Sequence, residues 1–168
     1  MSNGTKNIIF SLPATQSKSA LITEISSKFT TAKDQIHSTT QTFYDTFDWR
    51  LYNKNYMLVA ENDSFSLISI PYENTIDTAQ LSNCPHLFGW DFPDGELKSI
   101  LRKRLDVRAL LPLAQIRIKT DSIRILNNDA KTVLFLHFED IFSGSQKLST
   151  CIKLQPLKGY SKECDKFI

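Results

Sequence analysis

The sequence predicts a mostly antiparallel α+β fold, either a barrel or a two-sheet sandwich, with flanking helices. Apolar and polar residues alternate in short segments, most clearly over Lys147–Gln155, which is the period of a half-buried strand. Most of these segments are joined by short turns rich in Asn, Asp, Ser or Gly, which favour antiparallel neighbours. Only two segments show helical spacing of apolar residues, so helices are a minority of the fold.

The chain begins with a predicted strand and a predicted helix. Asn7–Leu12 is rich in apolar residues and is stopped by Pro13, as expected of a strand. Ser17 is predicted to cap a helix. The apolar residues of that helix fall at helical spacing: Leu21, Ile22, Ile25 and Phe29. The Thr-rich segment Lys33–Tyr44 is predicted to form one long strand.

The aromatic-rich segment Thr42–Leu58 is the most distinctive part of the sequence. We predict that a strand ends at Tyr44 and that Asp45 or Thr46 caps a single helical turn after it. The bulky apolar residues of this turn are expected to hold it against a sheet: Trp49, Leu51 and Tyr52. Trp49 and Trp90 are both expected in the core or as packing staples rather than as stacking platforms.

The middle of the chain predicts a hairpin, a long loop and a second helix. Tyr56–Ala60 and Phe65–Ile70 flank a polar turn and predict the hairpin. Pro71–Pro93 has no regular period but contains several large apolar residues, which predicts a packed loop. Asp94 is predicted to cap the second helix. One face of this helix is lined by Leu97, Ile100, Leu101 and Leu105, and its basic residues are interpreted as a solvated face. Those basic residues are Lys98, Arg102, Lys103 and Arg104.

The last third of the chain predicts three strands. In the first of them Arg117 and Lys119 point to one side, and Ile116 and Ile118 are expected to pack toward the flanking helices on the other. Apolar residues then change parity, and a bulge near Thr120-Asp121 is the predicted cause. Lys131–Phe138 is apolar on both faces and predicts a central strand, and Pro156 ends the third. The predicted total is about eight strands and two helices.

Length, charge and cysteine usage limit the class of protein. At 168 residues the chain suits a single domain over 1–168, and a net charge of +2 does not predict bulk nucleic-acid binding. Cys84, Cys151 and Cys164 form no CxxC pair, which indicates reduced thiols in a cytoplasmic protein. The first residues lack the features of a signal peptide, and no apolar run approaches the ~20 residues of a membrane span.

Motifs for catalysis or for cofactors are not evident from the residues alone. His37, His86 and His137 have no Cys or carboxylate at metal-ligand spacing, so we expect each to have a structural role. The sequence contains no Ser/His/Asp pattern, no Gly-rich phosphate loop and no nucleic-acid motif. We therefore predict no catalytic residue, no metal site and no cofactor.

Five short segments resemble those of the degenerate CYTH-like modules that precede CHAD domains in bacterial CYTH–CHAD proteins. These segments are Tyr44–Tyr52, Trp90–Pro93, Arg108–Pro112, Asp129–Val133 and Pro156–Tyr160. The resemblance implies the fold of the CYTH, or triphosphate tunnel, family: a mostly antiparallel barrel or tunnel of about eight strands with flanking helices. It also implies that residues from about 157 onward lead toward a CHAD domain, a helical domain associated with polyphosphate.

The sequence departs from the family where the resemblance implies metal binding. Active CYTH proteins hold a divalent metal on a Glu-x-Glu-x-Lys motif of the first strand, because glutamates at i and i+2 face the same side. The corresponding residues here are Thr5, Asn7 and Ile9. Basic residues expected later in the family pattern are replaced at Val59, Glu61 and Ile70, and acidic residues near the last strand become Lys153 and Gln155.

Together these features predict a non-catalytic CYTH-like module that binds polyphosphate, triphosphate or another phosphate-rich anion, or that acts as a structural partner of a CHAD domain. The anion site is predicted to centre on Arg117 and Lys119 inside the tunnel, with Arg124 and Lys153 joining from neighbouring strands. Three alternatives stay open: a divergent metal-dependent inorganic triphosphatase, a scaffold without a ligand, and cations that pair with nearby carboxylates or solvate the strand. Partners that the sequence does not predict are membranes and specific nucleic acids.

Overall fold

The computed structural model describes residues 8–71, 74–81 and 87–160. Chain contacts divide it into two compact units. Unit 1 comprises Met1–Thr39 and Arg117–Ile168, and unit 2 comprises Thr40–Ile116. The prediction of a single domain over 1–168, with a lead-in from about 157, stays a prediction, and residues 161–168 lie outside the described part.

The described residues form nine strands and two α-helices. The strands are β1 (Ile8–Leu12), β2 (Thr31–Lys33), β3 (His37–Asp45), β4 (Tyr56–Glu61), β5 (Ser64–Ser69), β6 (Asn74–Gln80), β7 (Leu111–Leu126), β8 (Thr132–Ser143) and β9 (Gln146–Pro156). The helices are α1 (Lys18–Lys28) and α2 (Glu96–Leu105). Every strand pairing described below is antiparallel, so the predicted antiparallel α+β class is confirmed.

Unit 1 is an antiparallel sheet covered on one face by α1. The order is β1-β9-β8-β7, and β2 pairs with β7. Helix α1 begins where predicted, because the Ser17 hydroxyl accepts a hydrogen bond from the amide of Ala20 at 3.4 Å. Its residues Leu21, Ile22 and Ile25 pack on a buried cluster of the sheet. The sheet residues of that cluster are Ile123, Ile125, Val133, Leu134, Leu136, Phe138, Ile152 and Leu154.

Unit 2 is an antiparallel sheet in the order β3-β4-β5-β6, and α2 packs on one face. The predicted hairpin is confirmed as β4 and β5, which pair from Tyr56↔Ser69 to Glu61↔Ser64. Leu97, Leu101 and Leu105 of α2 are at most 1% exposed and contact the sheet residues Leu58 and Leu67. This helical spacing was predicted from the sequence.

Two predicted elements of unit 2 were wrong. The supposed loop Pro71–Pro93 contains β6, whose polar alternation Asn-Thr-Ile-Asp-Thr hides the strand signal. Asp94 does not cap α2 but pairs with Lys98 at 2.9 Å, and Gly95 occupies the capping position without a side-chain bond. The capping oxygen comes from β6 instead, since the amide of Leu97 donates to Asp77 Oδ2 at 2.9 Å. This amide lowers the pKa of Asp77, as a helix N-terminus does for a carboxylate.

The predicted long strand Lys33–Tyr44 is interrupted. Thr31–Lys33 pairs with β7 in unit 1, and β3 begins only at His37. Asp34 and Gln35 lie between the two strands, and the amide of Gln35 donates to the Asp34 carboxylate at 3.0 Å. This local hydrogen bond satisfies the backbone without a ladder partner, and the strand therefore breaks there.

The segment after β3 is a tight turn built around a buried carboxylate. Asp45 is 5% exposed and accepts hydrogen bonds from the amides of Thr46, Leu51 and Tyr52 at 2.7–2.9 Å. The Thr46 hydroxyl accepts from the amide of Arg50 at 3.0 Å, so both predicted capping residues have that role. Leu51 is fully buried as predicted, and the turn is therefore anchored by one apolar and two polar side chains.

Candidate functional site

The register of β7 decides where the predicted anion-binding residues lie. Its pairing with β8 is continuous from Arg117↔Phe142 to Ile125↔Leu134, and the register shift lies between Ile125 and Leu126. The predicted bulge near Thr120-Asp121 is therefore wrong. Because no residue is inserted, side chains of equal parity share one face along the whole of this stretch.

Arg117 and Lys119 share the face on which α1 packs, which we call the helix face. Ile123 and Ile125 have the same parity and lie in the cluster under α1. The apparent change of parity arises because this one face is apolar where the helix packs and cationic further along the strand. Ile118 lies on the face opposite Arg117, as predicted, but the helix packs on the face of Arg117, so the prediction that Ile118 packs toward a helix is wrong.

The surroundings of Arg117 and Lys119 on the helix face are open. Both residues are exposed, and the Arg117 guanidinium lies 5.0 Å from the centre of the Phe142 ring across the strand pair. Lys119 is opposite Asp140 in the register, but Asp140 pairs with Lys18 and Lys147 at 3.3 and 2.7 Å. An anion bound here would meet mostly solvent-screened charges.

Arg124 and Lys153 lie on the opposite surface of the same sheet, which we call the polar face. The register places Ser122, His137 and Lys153 in one row across the three strands, with Arg124, Phe135 and Gln155 in the next. Thr120, Glu139 and Cys151 form a third row on this face. The four predicted anion-binding residues therefore divide into two pairs on opposite faces and do not converge. Whether any of them binds an anion stays a prediction.

A hydrogen-bonded network holds the centre of the polar face. Ser122 Oγ and His137 Nδ1 are 2.7 Å apart, and His137 Nε2 lies 3.2 Å from Gln155 Oε1. The His137 ring also stacks on Phe135, with ring centres 5.8 Å apart and an angle of 3° between the planes. Both ring nitrogens are thus engaged, as expected of a structural histidine. His37 is exposed, and His86 lies outside the described residues.

The two cations of the polar face are not neutralised by any residue that the structure describes. Across residues 8–71, 74–81 and 87–160, neither Arg124 nor Lys153 forms an ion pair. Arg124 Nε is buried and has no hydrogen-bond partner among these residues. Two strand spacings and one two-residue step separate the backbones of Arg124 and Lys153 by about 12 Å. A buried donor without a partner is costly, so this guanidinium is the unsatisfied group of the face.

Carboxylates are scarce on the polar face. Glu139 is the acidic residue of its three central rows, and the part of the chain that the structure describes contains no cluster of three His, Cys, Asp or Glu side chains suited to a metal. Thr5 and Asn7, at the positions where the resemblance implies metal-binding glutamates, lie outside that part. Ile9, where the resemblance implies a lysine, pairs with Lys153 and is 59% exposed. The replaced positions Thr5, Asn7 and Ile9 supply no metal-binding carboxylate.

In unit 2 the positions where the resemblance implies basic residues carry a different chemistry. Val59 is buried, and Ile70 lines an apolar cleft. Glu61 accepts a hydrogen bond from Gln41 at 3.2 Å. The predicted core positions of Trp49 and Trp90 are wrong, because these side chains are 52% and 47% exposed. Nothing in the sequence spacing distinguishes an exposed tryptophan of a turn from a buried one, so periodicity could not have revealed this.

Cysteine chemistry and membrane insertion add no further candidate. Cys151 is a half-buried free thiol on the polar face, while Cys84 and Cys164 lie outside the described residues. Within the described ranges, neither helix has the length and apolar character needed to cross a membrane.

Comparison with known proteins identifies the fold but not a close relative. No family model matches the sequence, and no curated protein matches it. A solved structure from Bacillus halodurans, described as a "putative adenylate cyclase", has a TM-score of 0.56 at 13% identity and covers 96% of this chain and 84% of that one. A second protein of the same description, from Vibrio parahaemolyticus, has a TM-score of 0.47 at 7% identity and covers 98% of this chain and 83% of that one.

At 13% identity the likeness to the Bacillus halodurans protein concerns the fold alone. It agrees with the strand and helix content described above and with the fold class predicted from the sequence. The chain therefore has an antiparallel α+β fold of the CYTH-like type.

Proposed function

We propose that this chain is a non-catalytic CYTH-like module whose polar face binds a phosphate-rich anion through Arg124 and Lys153. The observation that carries the proposal is the buried Nε of Arg124, which has no partner among the described residues. Arg124 forms no hydrogen bond or ion pair with another described residue, so its remaining N–H groups are available to the oxygens of an anion. Guanidinium is suited to this role because its planar array of N–H donors matches phosphate oxygens.

The electrostatics of the polar face favour Arg124 and Lys153 over the pair first predicted. Both side chains are half-buried, whereas Arg117 and Lys119 are exposed. Their charges are therefore less screened by water and salt. On the helix face, the carboxylates of Asp121 and Asp140 each lie 3.3 Å from the ammonium group of Lys18. On the polar face, Arg124 and Lys153 form no ion pair with a carboxylate of the described residues.

The absence of catalysis is proposed from the residues that replace the family's metal ligands. Thr5 and Asn7 offer no carboxylate to a hard divalent cation. Hydrolysis of a triphosphate in this family depends on such a metal to stabilise charge on the transferred phosphoryl group. Partnership with a CHAD domain in the same polypeptide stays a prediction that depends on the resemblance alone.

The test is titration calorimetry with tripolyphosphate in a buffer containing EDTA, at low and at high salt. We expect binding that weakens with salt, and a loss of about 10- to 100-fold in affinity for Arg124→Gln, since bonds to a charged group contribute roughly 1.5–3 kcal/mol. Arg117→Gln is the matched control, because it removes the same group from the other face and should change the affinity less than threefold. Equal losses in the two variants, or no binding by the unmodified protein, would contradict the site.

Catalysis is tested separately by phosphate release from tripolyphosphate with Mg²⁺ or Mn²⁺. We expect release at the rate of the protein-free blank. Release above the blank that disappears in Arg124→Gln would contradict the non-catalytic part of the proposal and favour the divergent triphosphatase.

A further inference from the structure

We propose that unit 2 contains a second, separate binding site, an aromatic cleft that takes an uncharged, planar aromatic small molecule. The cleft has a volume of about 580 Å³, within the roughly 300–1,000 Å³ typical of small-molecule pockets. One wall is the sheet surface of Phe43, Met57 and Ile68. The other wall is the turn after β3, with Trp49 and Tyr52. All the lining residues belong to unit 2, and the proposal does not rest on the anion site of unit 1.

The conformation of Trp49 is the second observation that supports this site. Its φ of 56° lies in the left-handed region, which is strained for a bulky residue. The turn holds it there, because the Trp49 amide donates to the Thr46 carbonyl and its carbonyl accepts from the Asn53 amide, both at 3.0 Å. The strain does not bury the indole, which is 52% exposed beside the cleft. A strained backbone that presents an exposed aromatic ring is typical of ligand-binding positions.

The geometry of the rings favours a planar ligand. Trp49 and Tyr52 meet edge to face, with centres 6.1 Å apart and an angle of 73° between their planes. One ring can therefore stack on a flat ligand while the other contacts its edge, the two arrangements that aromatic groups prefer. Met57 and Ile68 supply an aliphatic floor that adapts to ring shape.

The polar groups of the cleft indicate that the ligand is uncharged. Among the described lining residues there is no lysine, arginine or histidine. The carboxylate of Asp45 is directed at the backbone amides of the turn and accepts from three of them. The rings of Tyr44 and Tyr56 pack with the buried cluster under α2, on the sheet face opposite Met57 and Ile68, and therefore do not direct their hydroxyls at a ligand in the cleft. This lining favours an apolar ring over an anion or a cation.

The experiment uses the full chain and the uncharged probe N-phenyl-1-naphthylamine, whose fluorescence rises in apolar surroundings. We expect saturable binding of one probe per chain. Trp49→Ala should weaken it about tenfold, because it removes the stacking ring. Trp90→Ala is the matched control, since Trp90 is 47% exposed, stacks on Phe88 and does not line the cleft. It should leave probe affinity within twofold, and so should Arg124→Gln, which tests the anion site alone.

A second variant tests the same cleft in case Trp49→Ala does not fold. Ala114→Trp adds an indole to an exposed lining position of β7 and should lower probe affinity at least tenfold by filling the cleft, with an unchanged thermal unfolding midpoint. The anionic probe 8-anilinonaphthalene-1-sulfonate should bind at least tenfold more weakly than the uncharged one. Equal affinity for the two probes, unaltered binding in Ala114→Trp, or several weak probe sites per chain would overturn the proposal.

Discussion

The two units share one plan but differ in the chemistry of the sheet surface that their helix does not cover. In unit 1, α1 packs on one face and the other carries Arg124, Lys153 and a network centred on His137. In unit 2, α2 packs on one face and the other presents apolar side chains such as Phe43 and Met57. A common architecture therefore does not determine the ligand; the side chains on the uncovered rows do.

The largest effect is expected at the turn that forms the aromatic wall in unit 2. Asp45→Ala would leave the amides of Thr46, Leu51 and Tyr52 without their acceptor. Each buried unsatisfied donor costs about 1–3 kcal/mol, so we expect the free energy of unfolding to fall by about 3–5 kcal/mol. Urea unfolding measures this. Asp129→Ala, at an exposed turn residue, should cost less than about 0.5 kcal/mol. A loss below about 1 kcal/mol for Asp45→Ala would show that the carboxylate does not organise the turn.

A smaller effect is expected where the chain crosses α2. A Cβ at Gly89 would lie 2.8 Å from the Arg102 amide nitrogen and 2.9 Å from the Leu101 carbonyl carbon, both backbone atoms that cannot rotate away. Gly89→Ala should therefore cost about 1–3 kcal/mol through overpacking. The control is Gly144→Ala, where φ is +56° and no atom lies within 4 Å. That change strains only the local backbone, at about 1 kcal/mol.

These two glycine variants separate steric crowding from backbone conformation. Thermal and urea unfolding of both proteins under the same conditions provide the comparison. If Gly89→Ala is no more destabilising than Gly144→Ala, the close approach between the Gly89 segment and α2 is not a packing constraint of unit 2.

The smallest effect on stability is expected on the helix face of unit 1, and it depends on pH. Burial of Asp140 opposes its ionisation, but hydrogen bonds from Lys147 and Thr150 and the nearby charge of Lys18 outweigh it and lower the pKa of this carboxyl. A lowered pKa in the folded state stabilises the fold at pH values above the unfolded pKa of about 3.9. This stabilisation is lost as the pH falls through the pKa of the Asp140 carboxyl in the folded state.

Asp140→Asn should therefore cost about 1–2 kcal/mol at pH 7 and progressively less below about pH 4, where the carboxyl of the unfolded chain is protonated before that of the folded chain. Urea unfolding of both proteins at pH 7 and pH 3 measures the change. The exposed residue Asp129 is the control, because Asp129→Asn should show no such pH dependence. A cost that is the same at both pH values would contradict an ionic role for Asp140.

Much of the fold followed from local patterns. The caps at Ser17 and Thr46, the β4–β5 hairpin and the buried face of α2 were predicted, because each depends on residues close in sequence. Strand β6 was missed because its outward residues are polar and its apolar positions few. The cap of α2 was misassigned because its oxygen belongs to Asp77, a residue distant in sequence.

The candidate site was predicted less well, for a physical reason specific to β7. Apolar residues of both parities occur along this strand, and the sequence does not show that α1 covers only part of one face. A bulge near Thr120-Asp121 is equally consistent with these apolar positions, but the unbroken pairing of β7 with β8 excludes it. The face that each pair of cations shares could therefore be assigned only from the pairing with β8.

The central claim is that the polar face, and not the helix face, of unit 1 is the anion site. The measurement that tests it most directly is metal-free tripolyphosphate affinity, by titration calorimetry, of two double variants with equal loss of charge. Arg124→Gln/Lys153→Gln should abolish measurable binding, and Arg117→Gln/Lys119→Gln should retain affinity within about threefold of the unmodified protein at physiological salt. The reverse order, with binding lost only when Arg117 and Lys119 are neutralised, would contradict the account.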